Sequence, residues 1–146
     1  MGAGFCSESG NRRRRRAGSI AAVLAAVLLS ACIGGCRYRS SYRAVGYVHT
    51  NTSHKASMSF VSFEGTQSFT LLCGKDGGTL CYSGTLENGQ VIVYIDRGDG
   101  QKNFLFSVIP GDETASELSG LAGGRIYVIV ESEGTCEGGT FVFETD

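Results

Sequence analysis

From residue 56 to the end of the chain, short apolar runs with a two-residue period are each cut off by a turn that carries glycine. Successive side chains of a strand point to opposite faces, so this period suits half-buried β-strands. No stretch after Leu29 sustains the 3.6-residue period of an amphipathic helix. The runs at 58–63, 69–73, 80–86, 91–95, 104–109, 126–130 and 141–143 are separated by Glu64-Gly65-Thr66, Lys75-Asp76-Gly77-Gly78, Glu87-Asn88-Gly89 and Asp96-Arg97-Gly98-Asp99-Gly100. Asn-Gly is a hairpin signal, and a run apolar on both faces, as at 91–95, belongs in a central strand. Residues 110–123 read as a long loop in which 113–121 has room for a short turn of helix. Seven or eight short strands at spacings of about eight to twelve residues predict an all-β fold, an antiparallel β-sandwich.

Before this domain the chain has a different composition. Residues 1–31 place five consecutive arginines, Arg12 to Arg16, before an apolar stretch at 17–29 that ends in small residues. A cationic segment, an apolar core and a small-residue end form the three-part pattern of an export signal. The core falls short of the roughly 20 apolar residues that span a bilayer as a helix. Residues 32–55 hold Arg37, Arg39, Arg43 and Lys55 and no acid, whereas residues 56–146 carry four basic residues against thirteen acidic ones, a formal charge of −9. An acidic body repels phosphates, which argues against a nucleic-acid partner.

At the end of the apolar stretch, Leu29-Ser30-Ala31-Cys32 resembles the lipobox of bacterial lipoproteins at all four positions. The resemblance implies that Cys32 takes a diacylglyceryl group and, once residues 1–31 are removed, becomes the first residue of the mature protein, a palmitate-type lipoprotein on the extracytoplasmic side of the cell membrane. One acyl chain anchors only marginally, and two or more hold a protein stably on a bilayer. The alternatives are an ordinary secretory peptide cut near Ala31 and an uncleaved anchor. The region 32–55 then reads as a flexible basic tether reaching about 25 Å, unless a first strand already forms within 43–48. The runs from 56 to 146, closing on Gly-Gly-Arg-Ile-Tyr-Val-Ile-Val and Gly-Gly-Thr-Phe-Val-Phe, resemble the small jelly-roll-like sandwiches of secreted bacterial proteins. That resemblance implies fold and not activity.

With Cys32 assigned to lipid, Cys36, Cys73, Cys81 and Cys136 are the disulfide candidates expected of an exported chain. Cys73 and Cys81 flank one Gly-rich turn and form the first pairing considered, which leaves Cys136 to reach Cys36 or stay free. Strict alternation sets Cys73 beside Phe69 and Leu71 but Cys81 opposite Leu80 and Tyr82. The spacing is wrong for zinc. His49 and His54, the only histidines, lie in the tether without a nucleophile and an acidic orienter around them, so no catalytic residue and no cofactor is assigned. Arg97-Gly98-Asp99 is read as turn chemistry rather than an adhesion motif. Asp96, Asp99 and Asp112 are the oxygen ligands available to a calcium ion at one end of a sandwich, without the spacing of an EF-hand loop. Tyr94 and Tyr127 either stack on a sugar ring or pack inward.

Together with the lipobox resemblance, these features lead to the expectation of a membrane-anchored cell-envelope lipoprotein with a small non-enzymatic β-sandwich that binds or scaffolds an envelope protein or a glycan. The alternatives are a carbohydrate or cell-wall binding module and a hydrolase, the latter requiring Asp96 and Asp112 to face each other in a cleft.

Overall fold

The computed structural model describes residues 37–146, and the export signal, Cys32 and Cys36 lie outside the described residues. A compact domain runs from Tyr38 to Asp146. Its strands are β1 (Ser41–Val45), β2 (Val48–Asn51), β3 (Lys55–Cys73), β4 (Gly78–Asn88), β5 (Val91–Asp96), β6 (Asn103–Val108), β7 (Glu113–Leu121), β8 (Gly124–Ser132) and β9 (Cys136–Thr145). All pairings are antiparallel. The all-β sandwich expected from the two-residue period is the fold observed, with nine strands among the described residues instead of seven or eight.

The path β6-β5-β8-β3-β9-β4-β7 is one continuous sheet folded over on itself. β3 joins the two layers: its first half pairs with β9 and its second half with β8. The first layer therefore contains β2, the start of β3, β9, β4 and β7. The second contains the rest of β3 with β8, β5 and β6. Within β3 the buried positions are even up to Phe60 and odd from Phe63, so both halves turn their apolar side to the same interior. Glu64-Gly65-Thr66 is thus a bend inside a 19-residue strand and not the expected reversal. Gly65 has φ +124°, and a Cβ there would run into the Ser41 carbonyl and the Tyr42 backbone. Only glycine lets β1 approach the bend this closely.

The interior is aromatic. Phe143 of β9 meets Phe69 of β3 at 6.0 Å and Phe106 of β6 at 6.4 Å between ring centroids. Phe106 also stacks on Tyr82 of β4 at 4.7 Å. These contacts cross from one layer to the other and bury the apolar area that drives the fold.

Two expectations need correction. From Ser41 onward the flexible tether is replaced by β1 and β2, which pair with β3. Tyr42 and Tyr47 hold this edge, with rings 5.5 and 6.2 Å from Phe63, and the Tyr47 hydroxyl donates to Gln67 Oε1 at 2.8 Å. Burial, followed by the nearby Tyr42, raises the Tyr47 hydroxyl pKa. The loop with a short helical turn at 113–121 is instead the edge strand β7 on β4. Of its nine residues only Leu121 is fully buried, which is why it carries no two-residue apolar signal.

Candidate ligand-binding groove

The two outer faces of the sandwich differ. On the first layer, register aligns Ser59 of β3, Thr140 of β9, Thr85 of β4 and Glu113 of β7 in one row. A neighbouring row aligns Ser62, Glu137 and Asn88. Between them lies a groove of about 770 Å³, lined by Ser59, Val61, Ser62, Thr85, Glu87, Glu137 and Thr140 over the backbone of Gly138 and Gly139. The glycines set its floor. At Gly138, φ is +57° and a Cβ would collide with the Glu87 carboxylate. At Gly139 it would enter the ring of Phe60, which fills the interior directly beneath.

The groove combines hydrogen-bonding groups with the apolar side chains of Phe60, Val61 and Leu86. Thr140 Oγ1 donates to Ser59 Oγ at 3.4 Å, and Asn88 Nδ2 to Glu137 Oε2 at 3.4 Å. Hydroxyls both donate and accept, and the carboxylates accept. Nearby on this face are Glu117 and Glu144, the latter ion-paired with Lys55 at 3.2 Å. Such a surface disfavours anions and suits a neutral, hydroxyl-bearing chain. No His, Cys or Lys lines the groove. The alternating polar residues of the groove look in the sequence like any solvent-facing side of a strand. Only the register of β3, β9 and β4 turns them into one surface.

The singled-out residues lie elsewhere. Tyr94 and Tyr127 share the outer face of the second layer, in adjacent rows with Ile129 and Asp96. The Tyr38 ring lies 5.6 Å from that of Tyr127, and Lys102 Nζ sits 4.1 Å over the Tyr94 ring. Both rings already have a partner, so they form no open sugar platform.

The calcium candidates do not converge. Asp96 is buried, and its Oδ1 accepts from the backbone N–H groups of Gly98 and Gly100 at 2.8 and 3.0 Å. Its Oδ2 accepts from the Tyr38 hydroxyl at 3.0 Å. Burial works against its charge, but the N–H groups of Gly100 and Gly98 and the Tyr38 hydroxyl outweigh burial and hold the carboxyl below its ordinary value. Asp99 Oδ1 caps the N–H of Gln101 at 2.9 Å. Asp112 lies past the other end of the six-residue β6, roughly 20 Å away at the usual strand rise. Among the described residues no group of three or more His, Cys, Asp or Glu is placed to hold a metal ion, and Asp96 and Asp112 form no catalytic pair.

The expected Cys73–Cys81 bridge is also absent, both residues being free thiols. Cys73 faces the interior, while Cys81 is exposed on the outer face between Glu117 and Glu144. Side chains on opposite faces of a sheet cannot meet within disulfide geometry. The buried Cys136 thiol donates to the Gln90 carbonyl at 3.1 Å.

No protein-family profile and no curated protein matches the chain. Among solved structures it is similar to TmCBM61 in complex with β-1,4-galactotriose, at 14% identity and a TM-score of 0.41, covering 68% of this chain and 69% of that one. It is similar to a variant of the family 29 carbohydrate-binding module CBM29-2 at 14% identity and a TM-score of 0.36, over 73% and 83% of the two chains. A third similarity, to the enzymatically active domain of bacteriophage CBA120 tailspike protein 4, has 11% identity and a TM-score of 0.39 over 75% of this chain and 19% of that one. No ligand assignment follows from likeness at this level.

Proposed function

We propose that this is a non-enzymatic, extracytoplasmic binding protein, held on the cell membrane by a diacylglyceryl group on Cys32, whose first layer binds a neutral glycan of the cell envelope. The observation that carries the binding half is the glycine-floored groove, bordered by Ser59, Ser62, Thr85 and Thr140 with Glu87 and Glu137. Hydroxyls and carboxylates at this density match the alternating donors and acceptors of a sugar chain, and the acidic surroundings reject phosphate-bearing ligands. The anchoring half is supported by the leader and by Leu29-Ser30-Ala31-Cys32.

Two measurements test it. Intact mass and detergent partition of the protein made in a bacterium, beside Cys32→Ser, should show an acylated species that the substitution abolishes. A water-soluble chain without acyl mass overturns the anchor. Binding of the purified protein to peptidoglycan and neutral oligosaccharides, followed by calorimetry, should weaken about 30-fold in Thr85→Val/Thr140→Val, each of the two lost hydrogen bonds being worth about 1 kcal/mol. Absence of binding to every neutral glycan overturns the glycan reading, and shortened products overturn the non-enzymatic one.

A further inference from the structure

Building on the lipid anchor at Cys32, we propose that the outer face of the second layer seats the domain against the bilayer, with anionic headgroups as its partner, and so turns the groove away from the membrane. Only five residues, 33–37, separate Cys32 from Tyr38 in the sequence, and the six steps between the two, at most about 3.5 Å each, reach no more than about 21 Å. The domain begins at Tyr38, whose ring lies against Tyr127 and whose hydroxyl reaches Asp96, both on the second layer. Whatever path the connecting residues take, this covalent reach limits how far Tyr38 can stand from a lipid on Cys32.

The charges of the two faces agree with this orientation. The first layer exposes Glu87, Glu113, Glu117 and Glu137, which anionic headgroups repel. On the second layer Glu131 is ion-paired with Lys102 at 2.5 Å, and Asp96 is buried. Arg39 beside Tyr38, Arg97 in the β5–β6 turn and Arg125 on β8 are exposed. The exposed Asp99 carboxylate in that turn, which caps the Gln101 N–H, keeps its charge but is outnumbered by these three arginines. Apolar contact is supplied by Phe104, 64% exposed next to Tyr94, and Leu72, 38% exposed and in register with Arg125. Basic residues next to exposed aromatic and aliphatic side chains fit the headgroup region, where each Arg near an anionic surface strengthens association about fivefold.

The test uses the purified full-length product, its intact mass recorded, on vesicles of phosphatidylcholine alone or mixed with phosphatidylglycerol. Arginines are footprinted with phenylglyoxal and lysines by acetylation. Anionic vesicles should slow modification of Arg97 and Arg125 about fivefold or more and leave Lys55, on the first layer, unchanged. Added salt should reverse the protection. Arg97→Glu/Arg125→Glu should weaken vesicle association of the non-acylated product by at least about 25-fold. Acyl mass without protection of the two arginines, or with equal protection of Lys55, overturns the seat and leaves the anchor standing. Protection by anionic vesicles without acyl mass overturns the anchor and sustains the seat.

Discussion

The Tyr38 hydroxyl donates to Asp96 Oδ2 at 3.0 Å across 58 residues of sequence, and this bond fastens the start of the domain to the β5–β6 turn. A hydrogen bond to a charged group contributes about 1.5–3 kcal/mol. Tyr38→Phe keeps the ring on Tyr127 and removes the bond, so it should lower stability by about 1.5 kcal/mol in urea denaturation at neutral pH, with an unchanged m-value. An unchanged midpoint would mean that ring packing alone holds the segment.

The same carboxylate makes stability depend on pH. Asp96 is held below its ordinary value by the N–H groups of Gly100 and Gly98 and by Tyr38, against the opposing effect of burial, while in the unfolded chain it titrates near about 3.9. A lowered folded value means that its contribution is complete above the unfolded value and is lost as pH falls through the folded one. The stability gap between wild type and Asp96→Asn should therefore shrink progressively as pH falls below about 5. A gap that stays constant through this range would show that the carboxylate charge is not what the turn uses.

Gly84 is buried on β4, where a Cβ would come within 2.8 Å of the Phe141 ring and 3.1 Å of the Phe106 ring. These rings are buried in the packing between the layers. Gly84→Ala should cost about 1–3 kcal/mol through overpacking, read as a lower thermal midpoint. Phe106→Leu in the same chain should recover part of the loss.

The three described cysteines should separate in a native-state maleimide experiment read by mass spectrometry. Cys81 is exposed and should label first, while Cys73 and Cys136 should label only on unfolding. The Cys73 thiol pKa is raised by burial and then by the Asp146 carboxylate. That of Cys136 is raised by burial and raised further by Glu133. Labelling of Cys73 at the rate of Cys81 would contradict its inward placement.

Much of the sandwich was legible because burial on one face writes a two-residue period. Phe69, Leu71 and Cys73 on β3 and Phe141 and Phe143 on β9 are buried as alternation requires, and the apolar run at 91–95 lies in β5, between β6 and β8. β1 was foreseen only as the alternative of a first strand within 43–48, and β2 and β7 were hidden because edge strands bury few side chains: β2 is exposed along its whole length. The mismatch between Cys73 and Cys81 was visible in the alternation itself, and the observed faces follow it rather than the proximity of the two residues across a turn. Tyr94 and Tyr127 were correctly placed on a common face, but the partners covering them, Lys102 and Tyr38, come from distant parts of the chain.

The sequence alone determined the alternation of buried and exposed residues, the acidic charge of the body and the glycines that permit sharp bends, because each is a local property of a side chain or of its absence. Tertiary structure decided that Gly65 bends one long strand instead of ending it, that Asp96 binds Tyr38 and its own turn instead of a cation, and that Ser59, Thr85 and Thr140 share one groove. The reason is that strand pairing is non-local: register between β3, β9 and β4 is set by the packing of Phe60, Phe141 and Phe143 in the common interior, and that register places the polar side chains on the opposite face.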